Sequence, residues 1–210
     1  MTRHPLRRTR RPTLILLALI ALVAGCTALQ PPAVENPSLY VLAADPVRKG
    51  PQPRRDAVIE VALPRAWPGF DTQQMAYVRK PYELEFFAAS RWADTPSRML
   101  GPLLARALEQ TESFRAVVLA PSLVPADLRL DTELIRLQQN FAPRPSRAEI
   151  SLRVQLTDLR GKRVVAATVL EETETAPSED ANGGVIAANA ALQRLLQQVV
   201  NFCIVESAGR

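Results

Sequence analysis

Two segments in the C-terminal third, "RAEISLRVQLTD" (147–158) and "RVVAATVLEETE" (163–174), read as two long alternating strands joined through Arg160-Gly161-Lys162. Alternation over that length puts every second side chain on one face, so the pair predicts a long antiparallel hairpin with one side to bury. A hairpin alone is marginal in water, which commits this chain to a larger sheet with other elements packed on it.

The rest of the chain supplies those elements. "SLYVLA" (38–43) and "AVIEVAL" (57–63) read as the first two strands, separated by the loop-like "DPVRKGPQPRRD". "MAYVRKPYELEFFA" (75–88) reads as a hairpin turning at Lys80-Pro81, with Tyr82, Leu84 and Phe86 on its apolar face. "FRAVVLA" (114–120) is a further strand, and Leu128, Leu130, Thr132 and Leu134 alternate with charged neighbours in another. Thr95 is placed as an N-cap and Pro96 at the first helical position, ahead of Met99, Leu100, Leu103, Leu104, Ala107 and Leu108 at helical spacing. Gly101-Pro102 interrupts that pattern and predicts a later start or a bend. The last segment, "GGVIAANAALQRLLQQVVNFCIVE", is a helix expected to turn Ile186, Ala190, Leu192, Leu195, Leu196, Val199 and Val200 inward. The fold class expected is α/β, a mixed β-sheet packed between amphipathic helices.

The N-terminus belongs to a different physical regime. Leu14 to Ala24 is an uninterrupted apolar run, roughly 16 Å of helix, against a hydrocarbon core of about 30 Å. Arg3, Arg7, Arg8, Arg10 and Arg11 precede it with no acid among them, the layout of a cleaved export signal. Val23-Ala24-Gly25-Cys26 looks like a bacterial lipobox, in which cleavage falls between Gly25 and Cys26 and the cysteine carries acyl chains; the plainer alternative is an ordinary signal with a chance cysteine. The expected organisation is a lipoprotein signal peptide (1–25), a proline-rich lipidated tether (26–37) and a single periplasmic domain (38–207).

Excluding the signal changes the electrostatic reading. It removes five of the 26 Lys and Arg and no acid, which leaves 21 bases against 21 acids. The isoelectric point near 9.8 therefore belongs to the precursor, and a nucleic-acid partner argued from net basicity is not expected. Cys203 is left without an intramolecular partner and sits among Val199, Val200, Phe202 and Ile204, as a buried thiol or, alternatively, a reactive one.

Little here supports chemistry. The one histidine, His4, lies in the signal, so neither Ser-His-Asp nor Cys-His catalysis nor a His/Cys zinc site is available to the mature chain. No catalytic residue, no metal ligand and no cofactor is expected. Glu171, Glu172, Glu174, Glu179 and Asp180 cluster at the end of the second long strand, and a glycosidase pair or a calcium loop there is weighed against a solvated strand end, which is preferred. Gly183-Gly184 before the last helix is either a flexible lead-in or an anion site at a helix N-terminus. Seven of the eleven aromatics fall between residues 67 and 92. Tyr82 and Phe86 are assigned to the core. Trp67, Phe70, Arg91 and Trp92 are carried as candidate partner contacts, with core packing as the alternative.

The order Tyr82-Glu83-Leu84, Arg91-Trp92, Thr95-Pro96, then Pro177-Ser178-Glu179-Asp180 with Gly183-Gly184, resembles the ABC-type transport auxiliary lipoprotein family, which includes paraquat-inducible protein C. "LRLDTELIRLQQNF" is similar to the same family, and the resemblance covers most of residues 38–203. It implies a fold similar to the TolB N-terminal domain and a non-enzymatic role beside an MCE-domain protein and an associated inner-membrane permease, in lipid movement between membranes. Thr27 after the cysteine resembles the outer-membrane pattern, with the inner membrane as the alternative. Competing readings are a direct lipid carrier with an acyl pocket lined by Leu103 and Leu195, and a structural outer-membrane assembly lipoprotein; a homo-oligomer is left open.

Overall fold

The computed structural model describes residues 36–43 and 54–208. The chain divides into Met1–Asn36 and a compact unit, Pro37–Arg210. The signal, Gly25, Cys26 and most of the tether lie outside the described residues.

The elements run β1 (Ser38–Tyr40), β2 (Arg55–Val61), β3 (Arg65–Ala66), β4 (Gln74–Val78), β5 (Leu84–Trp92), α1 (Pro96–Glu109), β6 (Phe114–Leu119), β7 (Leu128–Asn140), β8 (Arg147–Asp158), β9 (Arg163–Thr175) and α2 (Ala181–Glu206). The α/β class with a mixed sheet and amphipathic helices is what the chain adopts. The long hairpin is β8–β9, in antiparallel register from Arg147↔Thr175 to Asp158↔Arg163.

β7 is the spine of the sheet. Its whole length pairs antiparallel with β8, from Leu128↔Asp158 to Asn140↔Arg147. On its other edge it receives three strands in succession, all parallel: β2 at Leu128–Leu130, β3 at Glu133–Leu134 and β4 at Gln138–Asn140. β6 extends the β2 branch, and β5 then β1 extend the β4 branch, so the sheet forks. A bulge between Leu134 and Arg136 resets the alternation, so that the buried set passes from Leu128, Leu130, Thr132 and Leu134 to Leu137 and Gln139.

Both helices pack on the side of the sheet that carries these residues, and they touch one another. α1 begins at Pro96 and runs through Gly101-Pro102 without a later start. A Cβ at Gly101 would lie 3.3 Å from Pro64 Cδ, so the small residue allows the helix to approach the β2–β3 connection. Leu100, Leu104 and Leu108 are buried on α1, and Leu192, Leu195, Leu196, Val199, Val200 and Cys203 on α2. Each fully buried Leu contributes about 1.5–3 kcal/mol of transfer free energy. Ile186, expected inward, is half exposed instead.

The hairpin differs from its sequence reading. The turn extends to Glu83, with Tyr82 in the left-handed region at φ 67 and fully exposed rather than in the core. Between Gln74 and Ala76 the β4–β5 register shifts from Arg91 to Phe86, so β5 carries several residues opposite one on β4. That irregularity turns Phe87, and then Trp92, toward the core.

Candidate docking site

Trp67-Pro68-Gly69-Phe70 closes a tight turn, in which Phe70 N–H donates to the Trp67 carbonyl at 2.9 Å. Gly69 has φ 92, the positive value that the third position of a type II turn demands after proline at the second. The turn leaves Trp67 43% exposed, while Phe70 is half-buried against the core. Trp67 N–H donates to the Leu134 carbonyl on the spine at 2.9 Å, which fixes the loop to the sheet. Asp71 N–H reaches back to the Trp67 carbonyl at 3.2 Å.

Asp71 also lines a cleft of about 600 Å³, where the loops that follow the two branches of the sheet meet the start of α1. Leu63, Pro64 and Leu119 form one wall, Gln73 and Asp94 another, and Ser97, Gly101 and Pro102 the helix side. Leu63, which lines the cleft, is 63% exposed, and Trp67, whose carbonyl accepts from Asp71 N–H, is exposed on the adjoining turn. Asp71 accepts from Ser97 Oγ at 3.3 Å, and Asp94 accepts from Thr95 N–H at 2.7 Å while facing Arg98 at 3.8 Å. Thr95 does not cap α1 with its side chain, so these carboxylates are the groups that meet the positive end of the helix. The arrangement offers shape, apolar area and two carboxylate acceptors.

Of the four candidate contacts, Trp67 and Phe70 belong to the turn that leads into Asp71, and neither lines the cleft itself. Arg91 is exposed on β5 but is not among the residues lining the cleft. Trp92 is a correction: its ring is 4% exposed and packed in the core, so a partner could reach it only by opening the fold. Its burial follows from the β4–β5 irregularity and from Trp92 N–H donating to the Gln73 carbonyl at 2.8 Å. Leu63, Pro64 and Leu119 were not singled out from sequence. The signal available was a leucine just past a strand end followed by proline, which reads equally well as a strand terminus.

The acidic cluster is structural. Glu172 and Glu174 pair with Arg194 of α2 at 2.8 and 2.7 Å, and Glu179 accepts from Ser146 N–H at 2.8 Å. Gly183 N–H is already taken at 2.8 Å by Asp180, the N-cap of α2, which closes that helix start to an external anion. The Gly183 N–H and the Ser178 hydroxyl hold the Asp180 carboxyl below its ordinary pKa. Cys203 is fully buried, and desolvation pushes its thiol up to about 12.

Among the described residues, no helix is long and apolar enough to cross a membrane. A search among curated proteins gave no match. Among solved structures, a Xanthomonas campestris protein assigned to DUF330 superposes with TM-score 0.74 at 22% identity, over 80% of this chain and 95% of that one. An uncharacterised protein superposes with TM-score 0.64 at 12% identity, over 80% and 99%. A hypothetical protein of Chlamydia trachomatis gives 0.51 at 12%, over 74% and 100%. At these identities the likeness is one of fold. The family model for the ABC-type transport auxiliary lipoprotein component matches residues 40–200, nearly the whole described domain, and the chain belongs to that family.

Proposed function

We propose that the chain is anchored by acyl groups on Cys26 and works as a non-enzymatic docking component of an MCE/ABC-type system that moves lipids between membranes. The cleft beside Trp67 receives the MCE-domain partner, which in turn links to the inner-membrane permease. Family membership supports the transport setting. The observation that carries the docking role is a cleft of about 600 Å³ lined by exposed Leu63, next to the turn that exposes Trp67. A half-exposed tryptophan held on a rigid turn is the kind of anchor that dominates protein interfaces. Thr27 favours the periplasmic face of the outer membrane for the anchor.

The direct-carrier reading needs a chamber for an acyl chain. Leu195 is fully buried in a packed core, and the space beside Met75, Trp92 and Ala188 is about 20 Å³, the room of one water. These observations favour docking over carriage.

The test is co-purification of the MCE-domain protein with Leu63→Glu/Trp67→Ala, with Arg163→Ala as a control remote from the cleft. Recovery should fall at least tenfold for the double variant and be unchanged for the control. Undiminished recovery would overturn the assignment of this cleft.

A further inference from the structure

One end of the domain gathers features that docking at the Trp67 cleft does not use. The β4–β5 turn, the β7–β8 turn and the loop before α2 meet there, around a groove of about 590 Å³. Tyr77, Phe87 and Phe141 form its aromatic wall, with ring centroids 4.7 Å apart for Tyr77–Phe87 and 5.7 Å for Tyr77–Phe141. Arg79 and Arg144 stand at its mouth. Arg79 is engaged by Glu85 and lies 5.3 Å over the Tyr77 ring. Arg144 is exposed and has no hydrogen bond or ion pair with the described residues. Tyr82 projects fully into solvent from the neighbouring turn, and Leu84 beside it is 39% exposed.

The direction of the chain gives this end its meaning. β1 runs parallel to β5 and starts with Ser38 opposite Ser90, whereas β5 starts at Leu84, next to the Tyr82 turn. The start of β1 therefore faces the side of that turn. Eleven residues, 27–37, separate Cys26 from Ser38, a reach of no more than about 40 Å. An anchor at Cys26 would keep the start of β1 within that reach of the bilayer.

We propose that this end of the domain rests on the surface of a phospholipid bilayer, with Tyr82 at headgroup level and Arg144 against lipid phosphates. A tyrosine places its ring in the interfacial region while its hydroxyl stays wet, and an arginine fork matches phosphate oxygens. Attraction of that kind fades over a Debye length of about 8 Å in physiological salt, so it acts only once a tether has brought the surface near. The contact gives the domain a fixed posture on the bilayer. It rests on the reading that Cys26 is the anchor, and the experiment supplies the anchor chemically so that the two can fail separately.

The mature chain, residues 26–210, is coupled through Cys26 to a maleimide-bearing phosphatidylethanolamine in nanodiscs of phosphatidylethanolamine and phosphatidylglycerol. Cys203 is buried and does not compete. With a gadolinium-chelating lipid in the disc, amide relaxation is measured along the domain. The expected result is an enhancement at residues 79–84 and 141–147 at least threefold that at the β8–β9 turn, Arg160–Lys162. That turn lies roughly 40 Å away along β7, 13 residues at about 3.3 Å each. Tyr82→Asn/Arg144→Glu, at two exposed positions, should erase the contrast while leaving the other amide shifts in place. Equal enhancement at both ends, or a contrast that survives the double substitution, would overturn the proposal. An unacylated Cys26 in protein recovered from cells would instead remove the anchor reading and leave the surface measurement standing.

Discussion

Gly184→Ala is a substitution whose cost can be traced to one neighbouring side chain. Gly184 lies in the first turn of α2, where an added Cβ would sit 2.2 Å from Gln139 Oε1 and 2.8 Å from Gln139 Cδ. Gln139 is 4% exposed and its Nε2 donates to Ser146 Oγ at 2.9 Å, so the amide cannot swing away without giving up a buried hydrogen bond. Forcing one methyl into a packed site costs about 1–3 kcal/mol, and losing that bond about 1 kcal/mol more. Alanine returns at most about 1 kcal/mol in helix propensity. The net expectation is a loss of about 2 kcal/mol, which moves a urea midpoint down by roughly 1 M at a slope of about 2 kcal/mol/M. In a Gln139→Ala background the obstructing atoms are gone, so the same substitution should be neutral or stabilising by up to about 1 kcal/mol. A double-mutant cycle by urea unfolding measures the difference. If Gly184→Ala costs the same with and without the Gln139 side chain, the close-approach argument is wrong.

Asp180 should give the acid limb of the stability curve part of its slope. Its carboxyl is held below 3.8 by the Gly183 N–H and the Ser178 hydroxyl, so its contribution is complete above that pH and is lost as the pH falls through the lowered native value. The difference in Tm between the wild type and Asp180→Asn should therefore be constant near neutrality and shrink below pH 3.8; a difference that grows on acidification would contradict the assignment. Trp92→Ala should cost about 3–5 kcal/mol in urea unfolding and Trp67→Ala about 1 kcal/mol or less, because only the first empties a core site. Cys203 should resist maleimide in the native domain and react once urea unfolds it; native-state labelling at a rate typical of exposed thiols would show that the C-terminal turns of α2 open readily.

The parts of the fold legible in the sequence are those dictated by local side-chain period. β8 follows its alternation almost residue for residue, whereas β9 exposes Val164 and Val169, and Thr95-Pro96 marks the start of α1 because proline at a first helical position loses no hydrogen bond. What local period cannot encode is a change of phase. Tyr82 looked inward from the spacing of Tyr82, Leu84 and Phe86, but a turn residue in the left-handed region and the β4–β5 irregularity shifted the buried set to Phe87 and Trp92. The same limit applies to the candidate site. Trp67 could be suspected from Pro68-Gly69, whereas Leu63 and Leu119 meet α1 only because two branches of one sheet diverge from β7. Gly183 and Gly184 look permissive in isolation; their necessity depends on Ser178 and Gln139, the latter in another element.

The position of β7 late in the chain has a consequence for when the domain can assemble. β2, β3 and β4 each take their place in the sheet against β7, so residues up to Val78 have no spine to join until Asn140 has been made. Pairings that span such separations are slow to form, because the intervening chain must be closed before any contact rewards it. If the chain is exported N-terminus first and unfolded, as the proposed anchor at Cys26 requires, this ordering would keep the leading half threadable through a translocation pore. β7, the strand that joins the two branches, would then arrive only after more than half of the polypeptide had crossed.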